Sequence, residues 1–167
     1  MLKKIAVVVL IAAVSILPFV MNAYAETKTV TLKYVIPQVT TFQITLPAGY
    51  TELTFQPDDA TFTNQPPEGQ TDTTAGLTIT NTGNVAIKID ANLTADLPTN
   101  VTEFRLTTTN TASGGYYWTD VNETSVQTII SSLAIGASDE FWAWSTGSNV
   151  PAGTYTSTQL QLVSSAV

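Results

Sequence analysis

The sequence predicts an all-β protein, an Ig-like or jelly-roll antiparallel β-sandwich. Three observations carry that expectation. Apolar residues recur at every second position in run after run, the period of a half-buried strand. The runs are short and are punctuated by Gly, Pro, Asn and Asp turns. About a fifth of the residues after Ala25 are threonine, which is β-branched and suits the solvated face of a sheet. No long stretch with the helical period competes with these.

The chain opens Met1-Leu2-Lys3-Lys4, runs apolar from Ile5 to Val20, and then reads Asn22-Ala23-Tyr24-Ala25. A basic start, an apolar stretch and an Ala-x-Ala site describe a secretory signal peptide over residues 1–25, cleaved after Ala25. The apolar run has 16 residues and contains Pro18. That is short of the about 20 residues that span a bilayer, so no stable membrane insertion is expected after cleavage. A type IV pilin would be cut before its apolar helix, whereas here the small residues follow it.

Residues 26–36 form the next element. Val30, Leu32, Tyr34 and Ile36 alternate with Thr29, Thr31, Lys33 and Val35, and Pro37 ends the run. A sandwich over residues 37–167 follows. Phe42, Ile44 and Leu46 alternate until Pro47-Ala48-Gly49 turns the chain, and Leu53 with Phe55 predicts a short strand. Gln56 to Ala75, rich in Pro, Asp, Gln and Thr, predicts an exposed loop or an inserted excursion. Leu77 and Ile79 lead through Asn81-Thr82-Gly83-Asn84 to Val85, Ile87, Ile89, Ala91 and Leu93. Phe104 with Leu106, Tyr116 to Trp118, Val126 to Ile130, and Phe141 to Trp144 predict further strands. A short helix over Ser131 to Ala137 is compatible but not required. Val150-Pro151-Ala152-Gly153-Thr154-Tyr155 turns into a last strand through Leu160 and Leu162.

Composition removes several function classes. The chain has no cysteine and no histidine, so disulfides, zinc fingers and Cys- or His-based catalysis are excluded. Six Lys and Arg against thirteen Asp and Glu leave little to neutralise phosphates, so no nucleic-acid partner is expected. Losing Lys3 and Lys4 with the leader takes the net charge from −7 to −9. An acidic exported domain is weakly attracted to anionic membranes. Without covalent staples, the fold must be held by its core, its sheet hydrogen bonds or its neighbours.

The remaining reactive side chains point to no enzyme. Asp58 with Asp59, Glu68 and Asp72, and the pair Asp139 and Glu140, read as solvated loop acids. Their spacing lacks the calcium-loop pattern, and adjacent acids on a strand face opposite ways, so no metal and no cofactor are expected. Tyr116, Tyr117, Trp118, Trp142 and Trp144 concentrate the aromatic surface. Trp142 and Trp144 share a strand face, which is either core or subunit contact, or else a platform for stacking sugar rings. Asn92, Asn100 and Asn122 each head an Asn-x-Thr sequon and are candidate N-glycan acceptors in an exported chain.

Residues 26–36 argue for assembly. A strand so apolar on one face must be covered, either by pairing within its own sandwich or by insertion into a neighbour. In the second case main-chain hydrogen bonds supply affinity and alternate side chains fill pockets. Passed head to tail, such a contact does not close and generates a filament. Ordering a free strand costs about 1–2 kcal/mol per residue, so insertion is favourable only against a preformed groove.

The stretch Leu77-Thr78-Ile79-Thr80-Asn81-Thr82-Gly83-Asn84-Val85-Ala86-Ile87-Lys88-Ile89, the leader, the strand-forming start and Pro151-Ala152-Gly153-Thr154-Tyr155 together resemble the TasA/camelysin-like fibre proteins and the archaeal bundling pilins related to them. The resemblance is one of layout across the mature chain. It implies a jelly-roll-like sandwich that polymerises with copies of itself by donating its N-terminal strand, with the donor role on Val30, Leu32, Tyr34 and Ile36. The expected function is therefore a structural subunit of an extracellular, cell-surface filament or pilus, as in a biofilm. The alternative is a monomeric cell-surface adhesin or carbohydrate-binding module, with glycans as partners.

Overall fold

The computed structural model describes residues 31–119, 124–156 and 158–167. The predicted leader, residues 26–30 with Val30, and the sequon Asn122 lie outside the described residues. By its contacts the chain divides into two units, Met1–Ile36 and Pro37–Val167.

The second unit is all-β, as the alternation predicts. Its strands are β1 (Phe42–Thr45), β2 (Phe62–Gln65), β3 (Leu77–Asn81), β4 (Ile87–Leu93), β5 (Val101–Thr107), β6 (Tyr116–Thr119), β7 (Gln127–Leu133), β8 (Ser138–Gly147) and β9 (Leu160–Ala166). They form two antiparallel sheets. The larger has the order β1-β3-β8-β5-β6, with β2 also paired to β8, and the smaller has the order β7-β4-β9.

Alternation explains how the sheets close on one core. In β4, Ile87, Ile89, Ala91 and Leu93 are buried while the residues between them are half-exposed. They meet Leu77, Ile79, Phe104, Leu106, Phe141 and Ala143 of the larger sheet in a single apolar cluster. Trp118 is fully buried, stacks on Phe104 with centroids 5.8 Å apart, and donates its indole N–H to Ser125 O at 2.8 Å. A buried tryptophan needs such an acceptor. In β7 two consecutive residues, Ile129 and Ile130, are both buried. The β4–β7 register shifts at two places there. An inserted residue lets neighbouring side chains point the same way.

On the outer face of β4, Asp90 takes hydrogen bonds from Lys88 Nζ at 2.7 Å and Thr128 Oγ1 at 2.6 Å. The Lys88 contact first, then Thr128, holds the Asp90 carboxyl below its ordinary range. A carboxylate depressed in the folded state adds stability at neutral pH, which is lost as the pH falls through that lowered value.

Several expectations are corrected. Leu53 and Phe55 form no strand, although both side chains pack on the core. Gln56 to Ala75, expected as an exposed loop or an inserted excursion, contains β2, which pairs with β8 over Phe62↔Gly147 and Gln65↔Ser145. Ser131 to Ala137 contains no helix; β7 continues to Leu133 and the chain turns at Gly136, with φ of 71°.

The long strand β8 meets β3 along Ser138–Phe141 and β2 near Ser145–Gly147, which leaves a gap at Ala143. The buried Gln70 fills it. Its Nε2 donates to Ala143 O at 3.0 Å, and its Oε1 accepts from Ala143 N at 2.7 Å. One side-chain amide thus replaces a missing strand partner, because a buried backbone N–H or C=O left unpaired is costly.

Candidate functional site

The N-terminal segment comes first. Residues 31–36 belong to no strand. Leu32, Tyr34 and Ile36 are exposed by 72%, 79% and 77%. Of the four predicted donor residues, these three are therefore described, and their apolar side chains face solvent. Val35, between Tyr34 and Ile36, is exposed as well, so the segment presents apolar side chains to solvent on both sides.

The turn Asn81-Thr82-Gly83-Asn84 holds the chain where that segment joins the sandwich. Asn84 accepts from Val39 N at 2.7 Å through Oδ1 and donates from Nδ2 to Pro37 O at 2.9 Å. Its own N–H donates to Val39 O at 3.1 Å. A Cβ at Gly83 would stand 2.1 Å from Val39 O, so only glycine allows this approach. Asn81, 1% exposed, donates to Val85 O and Leu133 O at 2.9 Å each and accepts from Gly83 N at 2.9 Å. The turn thereby joins β3, β4 and the end of β7 and fixes Pro37–Val39.

A groove of about 1050 Å³ opens on the sandwich between the edge strands β1 and β9. Ile44 and Leu46 line it from one sheet and Leu160 and Leu162 from the other, with Leu77, Leu93 and Phe104 deeper inside. Phe55 stands against Phe104 edge to face, with centroids 6.1 Å apart. Farther along β9, past Leu162, Ser164 Oγ donates to Thr40 O, in the chain just before β1. Asp58 and Asp59 lie among the groove's lining residues. A five-strand path opposite a three-strand sheet leaves apolar side chains of the larger sheet without full cover.

The outer face of the larger sheet carries the other candidate. Trp142 and Trp144 share a face, as their spacing predicts, but it is the outer one; Phe141, Ala143 and Ser145 point inward. Reading these two tryptophans as core is therefore corrected. Trp142 Nε1 donates to Thr71 O at 3.2 Å and Trp144 Nε1 to Thr107 Oγ1 at 3.0 Å. Trp144, Arg105 and Tyr117 stand in one cross-strand row. The Arg105 guanidinium sits 5.5 Å from the Tyr117 ring centroid and is bound by Glu103 at 2.8 Å. Tyr117 is 47% exposed.

The predicted acids are dispersed. Asp72 accepts from Asn110 Nδ2 at 3.0 Å, and Asp139 and Glu140, adjacent on β8, face opposite ways. Among the described residues no three metal-ligating side chains come together. Of the sequons, Asn92 is half-buried and its Nδ2 donates to Leu93 O at 3.0 Å. Asn100 is exposed, with φ of 68°, and its Nδ2 donates to Asn149 O at 2.8 Å.

Sequence reasoning picked out the turn, but not the groove or Gln70, and the strand it expected over residues 26–36 is not formed over residues 31–36. The groove depends on which strands become sheet edges, and alternation does not encode that. No protein-family model, curated protein or solved structure matches this chain.

Proposed function

We propose that the protein is an exported structural subunit of an extracellular filament, which polymerises head to tail by passing residues 26–36 of each copy to the next. The observation that carries this reading is the exposure of Leu32, Tyr34 and Ile36 in a segment that belongs to no strand. An apolar groove beside an edge strand in the same chain supports it. Self-copies are then the partner, and neither a cofactor nor catalysis is needed. The anchoring of Pro37–Val39 by Asn84 suits a segment that must transmit load between subunits.

The second reading, a monomeric adhesin or glycan-binding module, draws on the Trp144–Arg105–Tyr117 row. A flat aromatic row flanked by hydrogen-bonding groups suits sugar stacking.

Negative-stain electron microscopy of the mature protein separates the two. Regular filaments are expected, and more of them at mildly acidic pH, where protonated carboxylates relieve the −9 charge of each subunit. Persistent monomers at both pH values would reject the filament reading. Binding of soluble oligosaccharides by those monomers, lost in Tyr117→Ala, would then establish the second.

A further inference from the structure

We infer that the receiving surface for the donated segment is the free edge of β9, and that the incoming strand lies there antiparallel to β9 as a fourth strand of the smaller sheet. The inference rests on the filament reading and adds where, and in which direction, the strand binds.

The hydrogen-bond pattern identifies which backbone groups of β9 are open. β9 pairs with β4 over seven residues without a register shift. Just outside that ladder, Thr94 N donates to Gln159 O at 2.9 Å, and Val167 N donates to Ala86 O at 3.1 Å. In an antiparallel pair, residues that exchange bonds alternate with residues that do not. Gln159 and Val167 therefore place Gln161, Val163 and Ser165 in the bonded set with β4. Leu160, Leu162 and Ser164 turn their N–H and C=O groups to the opposite side. Among the described residues no strand pairs with β9 there, and its contact on that side is the bond from Ser164 Oγ to Thr40 O. Leu160 and Leu162 also send their side chains into the groove. One strand laid beside them would satisfy both the backbone and the apolar surface.

The other described edges suit this less. β1, β2 and β6 are four residues each. β7 has seven, but its register shifts twice, and bulges blunt an edge against pairing. β9 alone among these edges is both long and regular, and it borders the groove.

Direction follows from where the chain enters its own sandwich. Thr40, three residues after Pro37, is bound to Ser164. Each subunit's own segment therefore departs from the Ser164 end of the groove. A segment folding back into its own groove would have to run parallel to β9, with Ile36 at the Ser164 end. A segment from a second copy that runs antiparallel, with Ile36 at the Leu160 end, brings its own sandwich in at the opposite end and meets the Thr40 contact only with its N-terminal residues. The two subunit bodies then lie at opposite ends of the shared strand, which propagates a filament.

The register follows from matching faces. Ile36 beside Leu160, Tyr34 beside Leu162 and Leu32 beside Ser164 put all three apolar donor residues on the inward side. Pro37, which has no N–H to give, falls just past the ladder. Lys33 then stands beside Val163, which is 52% exposed on the outer face.

The chain has no cysteine, so an engineered pair reports cleanly. The mature protein carrying K33C and V163C is polymerised, oxidised and run on a non-reducing gel. The expected result is a covalent ladder of dimers, trimers and higher species, while each single variant stops at dimer. A strand displaced by one pleat would instead give the ladder with T31C/V163C or V35C/V163C, which preserves the β9 edge and corrects the register. Filaments without a ladder from any pair would overturn the β9 assignment and leave the filament reading standing. A fast-migrating intramolecular monomer from V35C/V163C, the pair that a segment lying parallel in its own groove brings together, would overturn this inference. Absence of filaments from the parent chain would reject the filament reading itself.

Discussion

Deleting residues 26–36 is expected to leave a folded monomer that forms no filaments under any condition in which the full mature chain does. The sandwich does not draw its core from that segment: every residue of the apolar cluster lies beyond Pro37, from Leu77 to Ala143. Leu32, Tyr34 and Ile36 are exposed, so removing them empties no core site. Changes at such positions shift stability by about 0.5 kcal/mol or less. The truncated chain should therefore melt within about 2–3 °C of the full one. Assembly should disappear altogether, because each subunit would lose both the backbone ladder and the apolar side chains it gives its neighbour. Burying one such side chain is worth about 1.5–3 kcal/mol, which several lost together turn into an undetectable association. Filaments of normal appearance from the truncated chain, seen by electron microscopy, would defeat this account.

Asn81→Leu is expected to be the most damaging single substitution outside the apolar core. Leucine keeps the branched skeleton of asparagine but removes its donor and acceptor, and its larger methyl groups add some crowding at this buried site. The side chain serves Val85 O, Leu133 O and Gly83 N, all at 2.9 Å, from a position 1% exposed. Each buried group left without a partner costs about 1–3 kcal/mol. Because the three belong to one network, their losses do not simply add, and about 3–5 kcal/mol in total is expected. For a domain of this size that lowers Tm by roughly 10–20 °C in a calorimetric scan. The same change should loosen Gly83–Asn84 and with it the hold on Pro37–Val39. A loss of under about 2 °C would mean that the two turns stand without Asn81.

What was legible in the sequence was whatever depends on local alternation. Ile87 to Leu93 and Phe141 to Ser145 announce strands because one face of each is buried. The alternation of residues 26–36 also reads as a strand, yet residues 31–36 form none, because among the described residues no strand pairs with them. What was not legible depends on partners distant in sequence. β2 has only Phe62 as an apolar residue, and it is a strand because β8 offers it a place. Leu53 and Phe55 alternate like a strand, but among the described residues no strand pairs with them, and they pack on the core as irregular chain. Gln70 sits in a polar stretch, and its role exists only because β8 outruns β3. The orientation of Trp142 and Trp144 was ambiguous because both faces of a central strand are covered, one by β4 and the other in part by the Thr71 loop.

The most direct measurement is the binding of a synthetic peptide of residues 26–37 to the mature chain lacking residues 26–36, followed by titration calorimetry. It removes nucleation and filament symmetry from the question and asks only whether the sandwich accepts the segment. The account predicts saturable binding with one peptide per sandwich. It also predicts a negative heat-capacity change, the mark of apolar burial, and a marked weakening when Leu32, Tyr34 and Ile36 are replaced by serine. No binding, or binding indifferent to those three residues, would contradict it.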